Sequence, residues 1–515
     1  MNKILIIDGY TDEPAGLGVP PYINVYPRLI AGAVWSVKKD VRISYWTVDQ
    51  YRRNPGELFK QAFESDLIVI IAGMEVPGHY VGGKPMSFKE LEYLAMRLSN
   101  KDLILTGPAA RFGFGAGGGT SAYSTRLLKK YFKEIVRGDV ELYFKGLVTE
   151  GFEKTDPYRL REDYSTADEA FVKGARIVQQ HPNYGRNLIV EIETFRGCPR
   201  WVTGGCSFCI EPRYGKPITR KPESIVREVG ELYSLGVRHV RIGRQPDILV
   251  YGSSRIGDEE FPKPCPEILE KVFKGIRNVA PGLRTIHIDN VNPGTIAKHP
   301  KESLDALKVI IKYHTPGDVA ALGIESFDER VVRANNLKAT PDEAMEALRL
   351  INRVGRIRGW NGLPHLLPGI NLLYGLPGET RETFRVNEEH LGKIIHEGLL
   401  IRRVNIRKVS ILENTPLWLR RRQVYGNLAK HEWLYKNHRI RVMRLFDKEM
   451  LRKVVPEGVL LPYLYVERSG RNMSLARFPG SYPIAVKFYS SLPKYSIVSG
   501  IVKKHSSKSV LAELV

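Results

Sequence analysis

The sequence predicts an α/β protein in three parts: an N-terminal doubly wound, Rossmann-like sheet, a central partial (β/α)6 barrel of the TIM type, and a small C-terminal β-barrel. Three observations carry this. Short apolar runs alternate with helix-like stretches over the first 150 residues, the same alternation resumes at residue 187, and from Gly458 the pattern turns β-like, broken by Gly, Pro and Ser. The 515 residues leave room for roughly three domains at about 150 residues each.

In the first part (1–150), KILIIDG (3–9), VRISYWTV (41–48), DLIVIIAG (66–73) and DLILTGPA (102–109) suit buried parallel strands. PRLIAGAVWSV (27–37), GELFKQAF (56–63) and SFKELEYLAMRLS (87–99) are the helices between them, and LYFKGL (143–148) is expected as a fifth strand. Ligands of such sheets sit beyond the strand C-terminal ends. Those ends here carry TDEPAGLGVPP (11–21), GMEVPGHYVGG (73–83) and RFGFGAGGGT (111–120). Glycines there allow close approach of backbone to a ligand, or simply make turns.

Residues 151–186 are polar and without periodicity, as expected of a linker. The central part (187–418) follows, with strands at 188–194, 237–243, 283–290, 319–326, 369–375 and 404–412 and helices such as PESIVREVGELYSLG (222–236) and PDEAMEALRLINRVG (341–355). Six βα units place the chemistry at the strand C-terminal ends. Residues 419–455 read as a strongly basic helical region, and 456–515 as the small β-barrel.

Hydrophobic content of 43% and charged content of 26% fit a folded protein, while the net charge of +22 points to a polyanionic partner or to a high general usage of Lys and Arg. No window of 18 consecutive apolar residues occurs, so no membrane span is expected. MNKILIIDGYTDEP reads as strand and turn rather than a signal peptide, and the expected location is the cytoplasm, where clustered thiols stay reduced.

Three of the four cysteines fall in FRGCPRWVTGGCSFCIEP: Cys198, Cys206 and Cys209, spaced C-x7-C-x2-C at the end of the first barrel strand. Thiolates select zinc or iron–sulfur clusters. Structural zinc wants four protein ligands, the fourth then coming from His181 or Cys265. A [4Fe–4S] cluster on three thiolates instead leaves one iron open to a substrate or cofactor.

This arrangement resembles the radical S-adenosylmethionine (SAM) superfamily, in which three cysteines spaced C-x3-C-x2-C follow strand one with an aromatic before the third, here Phe208. The first gap is four residues longer in this chain. The resemblance extends over roughly 187–417 and implies SAM contacts after successive strands. Gly243 and Gln245, in GRQP after strand two, stand where relatives have a GGE-like motif for the SAM amino group, an acid being replaced by Gln245. Glu325 and Ser326 after strand four match the ribose position, and Lys338, or Arg333, the base that meets the carboxylate. Gly375 and Glu379, in LLYGLPGE after strand five, match the turn that supports the adenine pocket; Glu379 also reads as an acid at a helix N-terminus. ILENTPL (411–417) resembles the strand-six turn. No other catalytic residue is assigned.

Within the superfamily the chain resembles an archaeal branch of iron–sulfur oxidoreductases with an N-terminal cobalamin-binding-like domain. The D-x-H-x-x-G motif, whose His ligates cobalt, is absent, and the only nearby histidine is His79. Cobalamin is thus bound without a protein His or not at all. The tail is similar in placement to the TRAM barrel of tRNA methylthiotransferases. Residues 451–515 hold ten Lys/Arg against three Glu, with Tyr463, Tyr465, Phe478, Tyr482 and Phe488 interleaved, of which about two are expected at the surface. Basic groups and stacking aromatics suit single-stranded RNA. Lys503, Lys504 and Lys508, in VKKHSSK, are the expected phosphate contacts, and Arg420, Arg421 and Arg422 extend that surface or cap a solvated helix.

The resemblance therefore implies reductive cleavage of SAM, with an electron donor such as ferredoxin or flavodoxin. The substrate is RNA, in particular tRNA, or a lipid or small metabolite; a non-catalytic RNA-binding iron–sulfur protein is the third reading. Methylthiotransferases carry three further N-terminal cysteines, none of which precede Cys198 here. Methylation or rearrangement is accordingly favoured over sulfur insertion.

Overall fold

A computed structural model describes residues 1–11, 21–74, 83–115 and 118–515. His79 and most of the first two glycine-bearing loops lie outside the described residues. The N-terminal sheet has five parallel strands, in spatial order Arg42–Thr47, Lys3–Asp8, Leu67–Ile71, Asp102–Thr106 and Glu134–Ile135. Every residue of Leu67–Ile71 is buried, as a parallel strand covered on both faces requires.

LYFKGL is not a strand. Val140–Glu150 is a helix that buries Val140, Tyr143, Phe144 and Leu147, a 3.6-residue spacing that its aromatic and β-branched composition disguised. The fifth strand is Glu134–Ile135, set against Ile104 and Leu105. Segment 151–186 is more than a connection: helix Ser165–Lys173 and the turn Ala175–Gln180 pack Ala167, Ala170, Phe171 and Val178 into the same core as helix Val25–Val37.

The central strands run parallel as Ile189–Glu193, His239–Gly243, Thr285–Ile288 continued by Asn290–Val291, Asp318–Glu325, Leu366–Tyr374 and Arg403–Lys408. An edge strand joins them from outside the central part. Tyr22–Ile23 pairs in parallel with Ile189 and Val190, so the N-terminal part contributes an edge strand to the barrel. Helices Arg421–Lys430, Glu432–Arg441 and Lys448–Val454 make up the basic region, held to the barrel where the His438 ring meets the Tyr374 hydroxyl at 2.7 Å.

The tail is a closed five-stranded barrel of Leu460–Ser469, Ser474–Arg477, Ala485–Phe488, Ile497–His505 and Ser509–Leu514. It sits at the N-terminal ends of the central strands. Thr285 donates to the Pro479 carbonyl at 2.8 Å, the Ser481 amide to His287 at 3.2 Å, Arg402 to the Tyr482 carbonyl at 2.7 Å and Asn187 to Glu467 at 3.2 Å. The small barrel therefore closes the bottom of the large one. Of the five tail aromatics named above only Tyr463 is exposed; Tyr465, Phe478 and Phe488 are core, and Tyr482 lies half-buried beneath the Arg403 guanidinium, while Tyr489 and Tyr495 are exposed as well.

Candidate active site at the barrel mouth

Every central residue singled out from the sequence follows a strand C-terminal end, so all of them lie at the mouth, opposite the tail barrel. The cysteine loop leaves Ile189–Glu193 through the short strand Phe195–Arg196. Its four extra residues are absorbed by a 3-10 turn, Pro199–Thr203. Gly204 and Gly205 then both take positive φ (81° and 68°), and a Cβ on Gly205 would lie 2.2 Å from Pro212. The pair folds the chain back and returns Cys206 toward Cys198.

Cys198 and Cys206 are buried and Cys209 partly so. Burial pushes the Cys198 thiol up to about 12, opposed by Lys338 and Arg200, and raises Cys209 well above the ordinary range, with Cys206 adding to it. Burial pulls Lys338 down, but Cys206, Glu325, Cys198 and Cys209 together outweigh it and hold the ammonium above its usual value. Glu325 takes a positive φ of 65°, and burial pushes its carboxyl up to about 7 against the pull of Lys338 and Arg407. A Cβ on Gly323 would lie 2.7 Å from Lys338 Nζ and 2.8 Å from Glu325 Oε1, so the bare backbone there lets the two groups converge. The structure thus gathers Cys198, Cys206, Cys209, Glu325 and Lys338 in one electrostatic unit.

Other predicted residues support this unit from further back. Phe208 packs with Cys206, Cys209 and Leu337 beneath the loop. Gly243 closes strand two against Glu191, and buried Gln245 accepts from Thr194 at 3.2 Å while its carbonyl accepts from Asn290 at 3.1 Å. Ser326 is buried and accepts from the Asp328 amide at 3.1 Å, shaping the strand-four turn. Glu379 accepts from the Gly375 amide at 2.6 Å and meets His431 at 2.8 Å, tying the strand-five turn to the basic helices rather than capping a helix. Arg333 pairs with Glu329 at the surface. His181 is buried beside Tyr45 of the N-terminal sheet, and Cys265 sits partly exposed at the start of helix Pro266–Val279. Lys503, Lys504 and Lys508 lie on the tail barrel at the far end of the molecule.

Arg200 escaped the sequence reading. Buried beside the loop, it donates to Cys206 Sγ at 3.1 Å, to the Asn336 carbonyl at 2.9 Å and side chain at 3.1 Å, and to Glu260 at 2.8 Å. Asn336 donates in turn to the Thr203 and Gly205 carbonyls at 3.1 and 3.0 Å. The loop is thereby laced to the segment that carries Lys338. Its adjacency to Cys198, in CPRW, was the available signal.

Two cations, Arg200 and Lys338, facing three thiols fit a thiolate-bound cluster of net negative charge. Among the described residues no three His, Cys, Asp or Glu side chains converge closely enough for a single metal ion.

A charged cleft adjoins the mouth. It lies between the C-terminal ends of the N-terminal sheet, at Gly107, Arg111 and Arg137, and the barrel residues Glu193, Arg196 and Arg244. Asp139 accepts from Arg196 and from the Arg161 amide, and Glu193 from Arg161, Tyr164 and Arg244. No helix is long and apolar enough to cross a membrane among the described residues.

The sequence profile of the radical SAM superfamily matches residues 164–390. An uncharacterized protein of Methanocaldococcus jannaschii is 43% identical over 94% of this chain and 88% of its own length. The ribosomal protein uS12 methylthiotransferase RimO of a Thermoanaerobacter species is 26% identical over 52% of this chain and 54% of its own. The tRNA-2-methylthio-N(6)-dimethylallyladenosine synthase of Geobacillus thermodenitrificans is 24% identical over 58% and 50%. Among solved structures, the cobalamin-dependent SAM radical enzyme OxsB superposes with a TM-score of 0.54 at 13% identity, over 84% of this chain and 61% of that one, a likeness of fold.

Proposed function

The chain belongs to the radical SAM superfamily, and from that premise we propose that it is a [4Fe–4S] enzyme that cleaves SAM reductively to modify RNA, in particular tRNA, by methylation or another C–H functionalisation. Cys198, Cys206 and Cys209 hold the cluster. A cluster bound there, reduced by a donor such as ferredoxin or flavodoxin, supplies the electron that splits SAM into methionine and a 5′-deoxyadenosyl radical. Lys338, held charged by the thiols and Glu325, meets the SAM carboxylate. Glu325, beside it, serves the ribose; with its carboxyl near 7 it donates or accepts a hydrogen bond there. Gln245, fixed on Thr194, sets the strand-two turn for the amino group, and Glu379 fixes the adenine-side turn through the Gly375 amide. Arg200 holds the loop and lowers the cost of negative charge on Cys206.

The RNA half rests on one observation: the basic excess of the tail is presented outward at Lys503, Lys504 and Lys508. The Lys503–Glu513 pair, at 2.7 Å with both side chains at least half exposed, is worth little and yields readily to a phosphate. The tail and the mouth are separated by the height of the barrel. At about 3.3 Å per residue, the nine-residue strand Leu366–Tyr374 spans about 30 Å. A substrate touching both ends must be a macromolecule, in keeping with relatives named for tRNA and a ribosomal protein.

Cobalamin, named for OxsB, is the further cofactor this arrangement would take; the described residues lining the cleft at the C-terminal ends of the N-terminal sheet include no histidine, so a corrin there would take no cobalt ligand from them.

Charge reversal at Lys503, Lys504 and Lys508 tests the RNA reading. It should weaken tRNA binding and flatten its salt dependence by about 0.7 log units per lost phosphate contact, with uncoupled SAM cleavage retained. Unchanged affinity favours the lipid or small-metabolite substrate.

A further inference from the structure

We propose that the arginine-lined cleft between the N-terminal sheet and the barrel mouth binds a phosphate group of the substrate. The inference deepens the reading of the mouth as the reaction site and rests on it.

The argument is one of charge. Arg161, Arg196 and Arg244 are answered by Asp139, Glu141 and Glu193. Arg111 and Arg137 line the same cleft, and neither has a carboxylate partner among the described residues. Arg111 lies over the Tyr214 ring at 4.5 Å and donates to the Arg213 carbonyl at 3.3 Å. The Arg137 guanidinium faces Tyr158, and its buried Nε has no hydrogen-bond partner. Among the described residues, five guanidiniums line the cleft against the carboxylates of Asp139 and Glu193 in its wall and Glu141 behind it, an excess of two. Withdrawing such charge from water without a counterion is costly. A phosphate dianion matches two guanidinium forks in charge and geometry.

The position gives this a purpose. The cleft wall includes Arg196, two residues before Cys198, and Tyr214, five residues after Cys209. A phosphate seated there anchors its substrate directly beside the cluster loop. The cleft also lies beyond the C-terminal ends of a doubly wound sheet, where ligands of such sheets bind.

The test uses the full chain, purified anaerobically, titrated with inorganic phosphate by calorimetry. Phosphate should bind the wild type and bind R111Q/R137Q at least tenfold more weakly. Should the double variant fail to fold, Arg137→Gln alone, at a half-buried residue, should weaken phosphate at least threefold. The same proteins are then titrated with a tRNA transcript and with ribose 5-phosphate. Weakened transcript binding assigns the phosphate to an RNA backbone, and weakened sugar-phosphate binding alone assigns it to a small phosphate ester; either upholds the site. Equal phosphate affinity in wild type and variant, no binding to either, or competition between phosphate and SAM overturns it. SAM cleavage in the same preparations separates the two readings. Cleavage without phosphate binding removes the cleft assignment alone, and phosphate binding without cleavage removes the reaction on which it rests.

Discussion

Replacing Arg200 by Met removes the cation that laces the cysteine loop to the Lys338 segment while keeping most of its length. Four hydrogen bonds go: to Cys206 Sγ, to the Asn336 carbonyl, to the Asn336 side chain and to Glu260. A bond to a charged group is worth about 1.5–3 kcal/mol and a neutral one about 1. The Glu260 side chain is 28% exposed and regains water, so its share is discounted. The three remaining guanidinium bonds sum to about 4.5 kcal/mol at the low end; Met also removes the cost of burying the charge, which leaves the loop about 3 kcal/mol easier to open, roughly a hundredfold in a local equilibrium. Hydrogen exchange reads this directly, because the Ser207 amide is bonded to the Asn335 carbonyl at 3.0 Å and the Cys209 amide to the Cys206 carbonyl at 3.0 Å. Both amides should lose about two orders of magnitude of protection in R200M, while amides of Leu67–Ile71 stay as they are. A reconstituted cluster should also titrate at a lower potential, having lost a charged donor to sulfur. Protection within threefold of the wild type would refute the assignment of Arg200 as the loop's anchor.

Gly375→Ala should be strongly destabilising, by about 2–5 kcal/mol, because φ is +92° and the new Cβ would lie 2.5 Å from Leu428. Adding Leu428→Ala should recover the clash but not the backbone strain, and full recovery of the denaturation midpoint would contradict that division. Burial pushes the Asp8 carboxyl up to about 6 despite hydrogen bonds from Tyr45, the Tyr10 amide and Asn24. The folded chain therefore holds this proton more tightly than the unfolded one. The penalty is absent below about pH 4, grows with pH, and is complete above about pH 6, at about 3 kcal/mol. Asp8→Asn should flatten the fall in stability between pH 4 and 7; an unchanged pH profile of urea unfolding would count against it. Cys265→Ser should keep wild-type iron content, since this thiol donates to its near neighbour Glu267 at 3.5 Å, and lost iron would make it a ligand.

What could be read in the sequence followed from strong local signals. Buried parallel strands such as Leu67–Ile71 are continuous apolar runs, and the three thiols announce themselves by spacing. Lys338 was legible because its place relative to Glu325 is set by one turn and one short helix, Glu329–Ala334. Residues 140–150 misled because Val, Tyr and Phe favour strands, while the helical spacing of their burial shows only once they pack. The rest depends on distant partners. Thr285 and Pro479, 194 residues apart, place the tail beneath the barrel, and the charged cleft draws on both the N-terminal sheet and the barrel. No local pattern encodes such meetings. The tail aromatics were legible as β-strand residues, yet alternation alone did not say which face was core.

The central claim is that Cys198, Cys206 and Cys209 hold a cluster that cleaves SAM. The most direct measurement is release of 5′-deoxyadenosine from SAM by anaerobically purified protein reduced with dithionite, beside the Cys198→Ala, Cys206→Ala and Cys209→Ala variants. The account predicts 5′-deoxyadenosine and methionine from the wild type, and none from any of the three variants. Stoichiometric zinc without iron in the anaerobic protein, or cleavage that survives loss of one of these thiols, would contradict it.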